Sequence, residues 1–121
     1  MKDSSIIIAT KVHGWEALSA GYDDPSILCW CKDGEDIINC DDFDPENNDI
    51  QAREALEAWC RKEGSRDANL EYDGELWSVL LNEDEEDRHR NWYPKCKADV
   101  TNKSLSAAIV EAICSAVGEV E

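Results

Sequence analysis

The dipeptide Asp73-Gly74, set within NLEYDGELWSVLLN at residues 69 to 82, constrains the fold of this chain more than any other short stretch. A two-residue type I′ turn needs positive φ at both of its positions, and Asp-Gly is among the few pairs that supply it. The flanking aliphatic and aromatic residues therefore read as two antiparallel strands. A third strand is expected around NWYPKCKAD, residues 91 to 99, returning from an acidic tip to pair with the second. Pro94 cannot donate to a ladder, so that strand is expected to lie at a sheet edge or to be irregular.

Helical periodicity brackets these strands. In NDIQAREALEAWCRKEG, residues 48 to 64, Ile50, Ala52, Ala55, Leu56, Trp59 and Cys60 form one apolar face. Asn48 or Asp49 caps its start, Arg61 and Lys62 suit its C-terminal end, and Gly64 stops it. At the other end of the chain, SLSAAIVEAICSAVG repeats apolar residues at offsets of three and four from Leu105 to Val117, with Thr101 or Ser104 as cap and Gly118 as stop. Residues 3 to 14 carry Ile8, Val12 and Trp15 at helical spacing with Gly14 to end the turn, although three consecutive β-branched isoleucines also favour a strand. Residues 16 to 48 show weak periodicity and read as a long irregular connection with a short strand at ILCWCK, residues 27 to 32. The sum is an α+β domain spanning residues 1–121: a short antiparallel three-stranded sheet packed with about three helices, an α/β sandwich.

Length and composition bound what such a domain does. The 121 residues suit one core, and a hydrophobic fraction of 42% argues for folding rather than disorder. Against 12 Lys and Arg stand 28 Asp and Glu, a net charge of −16. Direct contact with nucleic acid or an anionic membrane is thereby excluded as an expectation, since both are polyanions. Basic protein partners are favoured. Six cysteines, at 29, 31, 40, 60, 96 and 114, would allow three disulfides. However, the N-terminal apolar run is too short for a secretory signal and no segment approaches membrane-spanning length, so a cytosolic chain with reduced thiols is expected. Cys60 and Cys114 fall on apolar helix faces, where a thiol serves as a small hydrophobe.

Four stretches together resemble a known family. KVHGW (11 to 15), NNDIQAREALEAW (47 to 59), LEYDGELWSVLL (70 to 81) and AAIVEAICSA (107 to 116) are similar, in that order, to the phage ABA sandwich domain, whose members are small bacteriophage proteins. His13, the pair Arg53 and Glu54, and the acidic connection at 33 to 49 depart from the pattern without breaking the apolar faces. The resemblance implies a phage or prophage origin and action in the host bacterial cytoplasm. It brings no catalytic motif.

The residues themselves point away from catalysis. Cys29 and Cys31 are separated by one residue, and no second pair stands at the two-to-four-residue gaps of structural zinc sites. The redox motif, with two intervening residues, is equally unmet. DDFDPENND, residues 41 to 49, lacks the glycine and terminal glutamate of a calcium loop. His13 and His89 sit in no nucleophile context and read as a helix-end and a loop residue. The six glycines are scattered as turns and caps, so no phosphate loop forms. No cofactor is expected, and no metal.

What remains is acid. Seven carboxylates between Glu35 and Asp49 occur without a Lys or Arg, and five more run from Glu83 to Asp87. Duplex DNA carries one charge per roughly 1.7 Å of axis, so a carboxylate surface of comparable density fits a groove built for nucleic acid. Asp41, Asp42, Asp44, Glu46, Asp49, Glu83, Asp84, Glu85, Glu86 and Asp87, with Trp92 and Tyr93 as aromatic anchors, are the candidate partner-binding residues. The expected role is a non-enzymatic inhibitor, DNA-mimicking and anti-CRISPR-like, that binds a host nucleic-acid-handling or defence protein through its basic surface. Alternatives are a phage accessory or homo-oligomeric structural protein whose acids only solubilise it, and a metal- or thiol-dependent enzyme.

Overall fold

A computed structural model describes residues 3–21, 24–62 and 66–118. Its architecture is α+β, with two antiparallel three-stranded sheets rather than the single sheet expected. Helix α1, Asp3–Ile7, continues as a π-helical turn over Ile8–Val12, where the His13 amide donates to the Ile8 carbonyl at 3.0 Å. Gly14, at φ +71°, ends it as the sequence predicts.

The expected irregular connection is instead largely a sheet. Strands β1 (Glu16–Gly21), β2 (Asp24–Lys32) and β3 (Glu35–Asn39) pair in that order. Periodicity hid them because bulges interrupt the pairing of β1 with β2, breaking the two-residue alternation. Between β2 and β3 the register closes on Lys32 opposite Glu35, leaving Asp33 and Gly34 as a two-residue turn with φ of 55° and 83°. The I′ signature thus operates at this Asp-Gly pair.

It does not operate at the other. Strands β4 (Arg66–Tyr72) and β5 (Trp77–Glu86) close on Tyr72 opposite Trp77, so the loop has four residues, Asp73 to Leu76. Here the Asp73 carboxylate accepts the amides of Glu75 (2.9 Å) and Leu76 (2.8 Å), a side-chain turn that competes with the tighter backbone one, and only Gly74 has positive φ. Those bonds, from Leu76 first and then Glu75, hold the Asp73 carboxyl below its ordinary range. The folded chain therefore binds fewer protons there than the unfolded chain. Its contribution to stability is complete above the unfolded carboxylate pKa and is lost as pH falls through the lower folded value. Asp73→Asn should flatten the decline of the urea midpoint below about pH 4; parallel curves for variant and wild type would show that the carboxylate carries no such linkage.

Strand β6 (Trp92–Asn102) pairs with β5 and lies at the sheet edge, as Pro94 requires. Helices α2 (Asp49–Lys62) and α3 (Leu105–Gly118) follow the periodicity closely. Asn48 caps α2 through its side chain to the Gln51 amide at 3.1 Å, and Ser104 caps α3 through its hydroxyl to the Ala107 amide at 3.3 Å. Gly64, the expected stop of α2, lies outside the described residues. Ile50 departs from its expected apolar role: it is exposed, in the first turn of α2 before that helix meets the core.

Helix α3 packs on β5, β6 and α2. Leu105, Ala108, Ile109, Ala112, Ile113 and Ala116 meet Val79, Leu81, Ala98, Ala52, Ala55 and Trp59 in one core, with Cys60 and Cys114 at its margin. Burial raises both thiols, Cys114 to about 11. The first sheet enters this core through Trp30, which is fully buried. Beside it, His13 stacks on Trp15 at 4.3 Å and Phe43 closes edge-on, an arrangement in which burial, and secondarily Lys32, lowers the His13 pKa. No helix among the described residues is long and apolar enough to cross a membrane.

Candidate docking surface on the second sheet

A strand sends successive side chains to opposite faces, and in β5 this splits the acidic run in two. Glu83 and Glu85 share the face of buried Val79 and Leu81. Around them the register places Arg66 and Lys95 opposite Glu83 and Tyr93 opposite Glu85. A bulge at Lys97 turns that residue to the same face, where its Nζ lies 2.7 Å from one Glu85 oxygen and 3.9 Å from Glu83. Arg66 bonds to Glu83 at 3.3 Å, reaches the Trp59 carbonyl at 3.1 Å and lies over the Trp59 ring at 4.6 Å. Lys97, and then Lys95, hold the Glu85 carboxyl below its ordinary range. This half of the run is internally compensated.

The opposite face has another character. Along β4, β5 and β6 it carries Asp67, Glu71, Asp84, Glu86 and Asp99, all exposed, and the three cationic residues of these strands, Arg66, Lys95 and Lys97, lie on the inner face. Each acid faces a neutral partner: Asp67 opposite Asn82, Glu71 opposite Ser78, Asp84 opposite Pro94, Glu86 opposite Trp92, Asp99 opposite Leu80. Repulsion is thus confined to diagonal and same-strand neighbours about 7 Å apart, worth only about 0.6 kcal/mol per pair in water. Among the described residues, β5 beyond Glu83 pairs with β6 alone. There Trp92, 64% exposed, stands beside Glu86 and Asp84 as an aromatic anchor on the acidic face.

Other candidates sort differently. Asp87 closes the ribbon, its carboxylate accepting the amides of His89 (2.7 Å) and Asn91 (3.0 Å), while Arg90 adopts positive φ. His89 is a turn residue, as expected. Tyr93 is exposed but on the compensated face, its hydroxyl 3.4 Å from Glu85. In the first cluster, Asp41, Asp42 and Asp49 are exposed, whereas Asp44 and Glu46 are half-buried around the buried Phe43 and Pro45. Gln51 ties that segment to α2, accepting the Asp44 amide and donating to the Asp42 carbonyl, both at 2.7 Å. The buried Ser106 hydroxyl donates to the Glu46 carbonyl at 2.8 Å. These acids sit on an anchored segment, not a loose loop.

Sequence reading passed over Asp67, Glu71 and Asp99. In β4 the acids Asp67 and Glu71 stand four residues apart with Arg66 an odd step away, but in β6 Lys95 and Lys97 stand at even steps from Asp99, and only the bulge at Lys97 moves them to the other face, so spacing alone carried no signal there. The same reading also set aside Cys29 and Cys31 as ligands and did not weigh Asp36 beside them, and the first sheet brings the three together. Desolvation, then hydrogen bonding with Cys29 and Asp36, pushes the Cys31 thiol up to about 11. Compared with known proteins, the chain matches no family model, no curated protein and no solved structure.

Proposed function

We propose that this chain is a non-enzymatic binding protein whose acidic sheet face occupies the basic groove of a protein that handles nucleic acid. The observation carrying this reading is charge segregation: five carboxylates on the outer face of β4, β5 and β6, with every cationic residue of those strands on the other. A surface meant only to stay soluble mixes both signs. One that must meet a cation array gains from presenting a single sign, because complementary fields steer encounter and select the partner. Trp92 supplies the apolar contact that acids alone lack.

The phage resemblance, resting on the four sequence stretches, extends the proposal to an inhibitor of a host defence or nucleic-acid-handling protein, anti-CRISPR-like in role, acting in the host cytoplasm by stoichiometric occlusion. The α/β-sandwich arrangement belongs to the same reading. An affinity pull-down from bacterial lysate at low and then moderate salt tests it. The expected result is one stoichiometric partner with a basic nucleic-acid-binding surface, released as salt rises. Recovery of the chain alone would favour a homo-oligomeric accessory protein and overturn the proposal.

A further inference from the structure

We propose that Cys29, Cys31 and Asp36 form a binding site for a thiophilic divalent cation, with zinc the best fit. A Cys-x-Cys pair within a strand projects both thiols to one face, because the side-chain period is two. The tight turn at Asp33-Gly34 then folds β3 back so that Asp36 lies directly opposite Cys31. One donor pair and one carboxylate, separated in sequence by a turn, thereby meet on one sheet face while the intervening Trp30 points into the core.

The spacing of the three donor atoms matches a coordination shell. Zinc bonds thiolate sulfur at about 2.3 Å and carboxylate oxygen at about 2.0–2.2 Å, so tetrahedral angles put sulfur atoms about 3.8 Å apart and sulfur about 3.5–3.7 Å from oxygen. The two Sγ atoms are 3.7 Å apart, and Asp36 Oδ1 lies 3.7 Å from Cys29 Sγ and 3.4 Å from Cys31 Sγ. Three edges of a tetrahedral face are therefore preset. Two soft sulfurs with one oxygen suit zinc or cobalt and disfavour magnesium and calcium, which take oxygen ligands only. Glu16 stands opposite Cys31 on the other flanking strand, on the same face, and is the chain's own candidate for the fourth position, with water the alternative ligand. The ligands span two strands of the first sheet, so the cation would staple that hairpin.

Chelator-stripped full-length chain, kept reduced with a non-thiol reductant, should be titrated with cobalt(II) and followed by absorbance, then challenged with zinc. The expected result is one equivalent bound, with thiolate-to-cobalt charge-transfer and tetrahedral visible bands, displaced by zinc, and a melting temperature that rises with zinc concentration. Cys31→Ser and Asp36→Asn, both at solvent-accessible positions, should weaken binding by more than the roughly 10–100-fold cost of losing an outer-shell partner. Cys96→Ser, on β6, should leave binding unchanged. Absent charge-transfer bands, equal affinity in the Cys31 and Asp36 variants, or several weak sites abolished by moderate salt would overturn the site and leave only diffuse attraction to an acidic surface.

Discussion

Trp30→Ala is expected to cost about 3–5 kcal/mol, the range for removing a buried large aromatic. Domains of this kind hold roughly 5–15 kcal/mol in all, so this one change removes a large share. The first sheet reaches the common core through that indole, which is fully buried near the C-terminal end of β2. Its loss should release β1, β2 and β3 before the rest. Hydrogen exchange should show amides of those strands losing protection while those of β5 and α3 keep theirs, and the urea midpoint should fall. Trp30→Phe should cost less than the alanine change. The indole N–H is buried with no hydrogen-bond partner among the described residues, and phenylalanine removes that unsatisfied group while keeping much of the ring. Uniform loss of protection across the chain would show that the two sheets unfold as one unit.

The second large effect concerns the outer face of the second sheet. Neutralising Asp67, Glu71, Asp84, Glu86 and Asp99 to their amides should leave stability within about 0.5 kcal/mol per site, since all five are exposed and none faces a cation on its neighbouring strand. Binding should respond differently. At about 0.6 kcal/mol per exposed charge pair the five changes sum to about 3 kcal/mol, roughly a hundredfold in Kd. Trp92→Ala should add about 2 kcal/mol if the ring is a central anchor. Neutralising Glu83 and Glu85 instead should do the reverse. Those carboxylates are engaged by Arg66, Lys95 and Lys97, so stability falls while affinity barely moves. An amide variant that still binds with wild-type affinity would remove the outer face from the interface.

How much of this was legible beforehand depends on what each signal measures. Helices α2 and α3 were, because their apolar faces run several turns and their caps, Asn48 and Ser104, stand at the right offsets. The central hairpin and the edge position of Pro94 were also legible. Of the first sheet only the strand at residues 27 to 32 was, within β2; bulges near Leu18 and Ser19 scramble the alternation of the rest, and the Asp33-Gly34 turn lay inside what read as an irregular connection. The same dipeptide made a tight turn at one place and a four-residue loop at the other. At Asp73 the side chain takes two backbone amides and so decides the geometry, which no dipeptide statistic contains.

The candidate surface was half legible for a similar reason. Five consecutive acids look like one patch in a string of letters, but a strand divides them, and only Asp84 and Glu86 join the uncompensated face. Asp67, Glu71 and Asp99 reach that face from neighbouring strands only once the register is known. Cys29, Cys31 and Asp36 meet for the same cause. In each case the chemistry depends on which residues lie opposite one another, a property of pairing rather than of spacing along the chain.

The most direct test of docking by occlusion is competition. A partner recovered by pull-down should be loaded with labelled duplex DNA, and DNA release followed by fluorescence anisotropy as the chain is added. Stoichiometric displacement by the wild-type chain is expected, with about a hundredfold weaker displacement by the variant with five neutralised acids on the outer face. A ternary complex in which the partner keeps its DNA while holding this chain would contradict it.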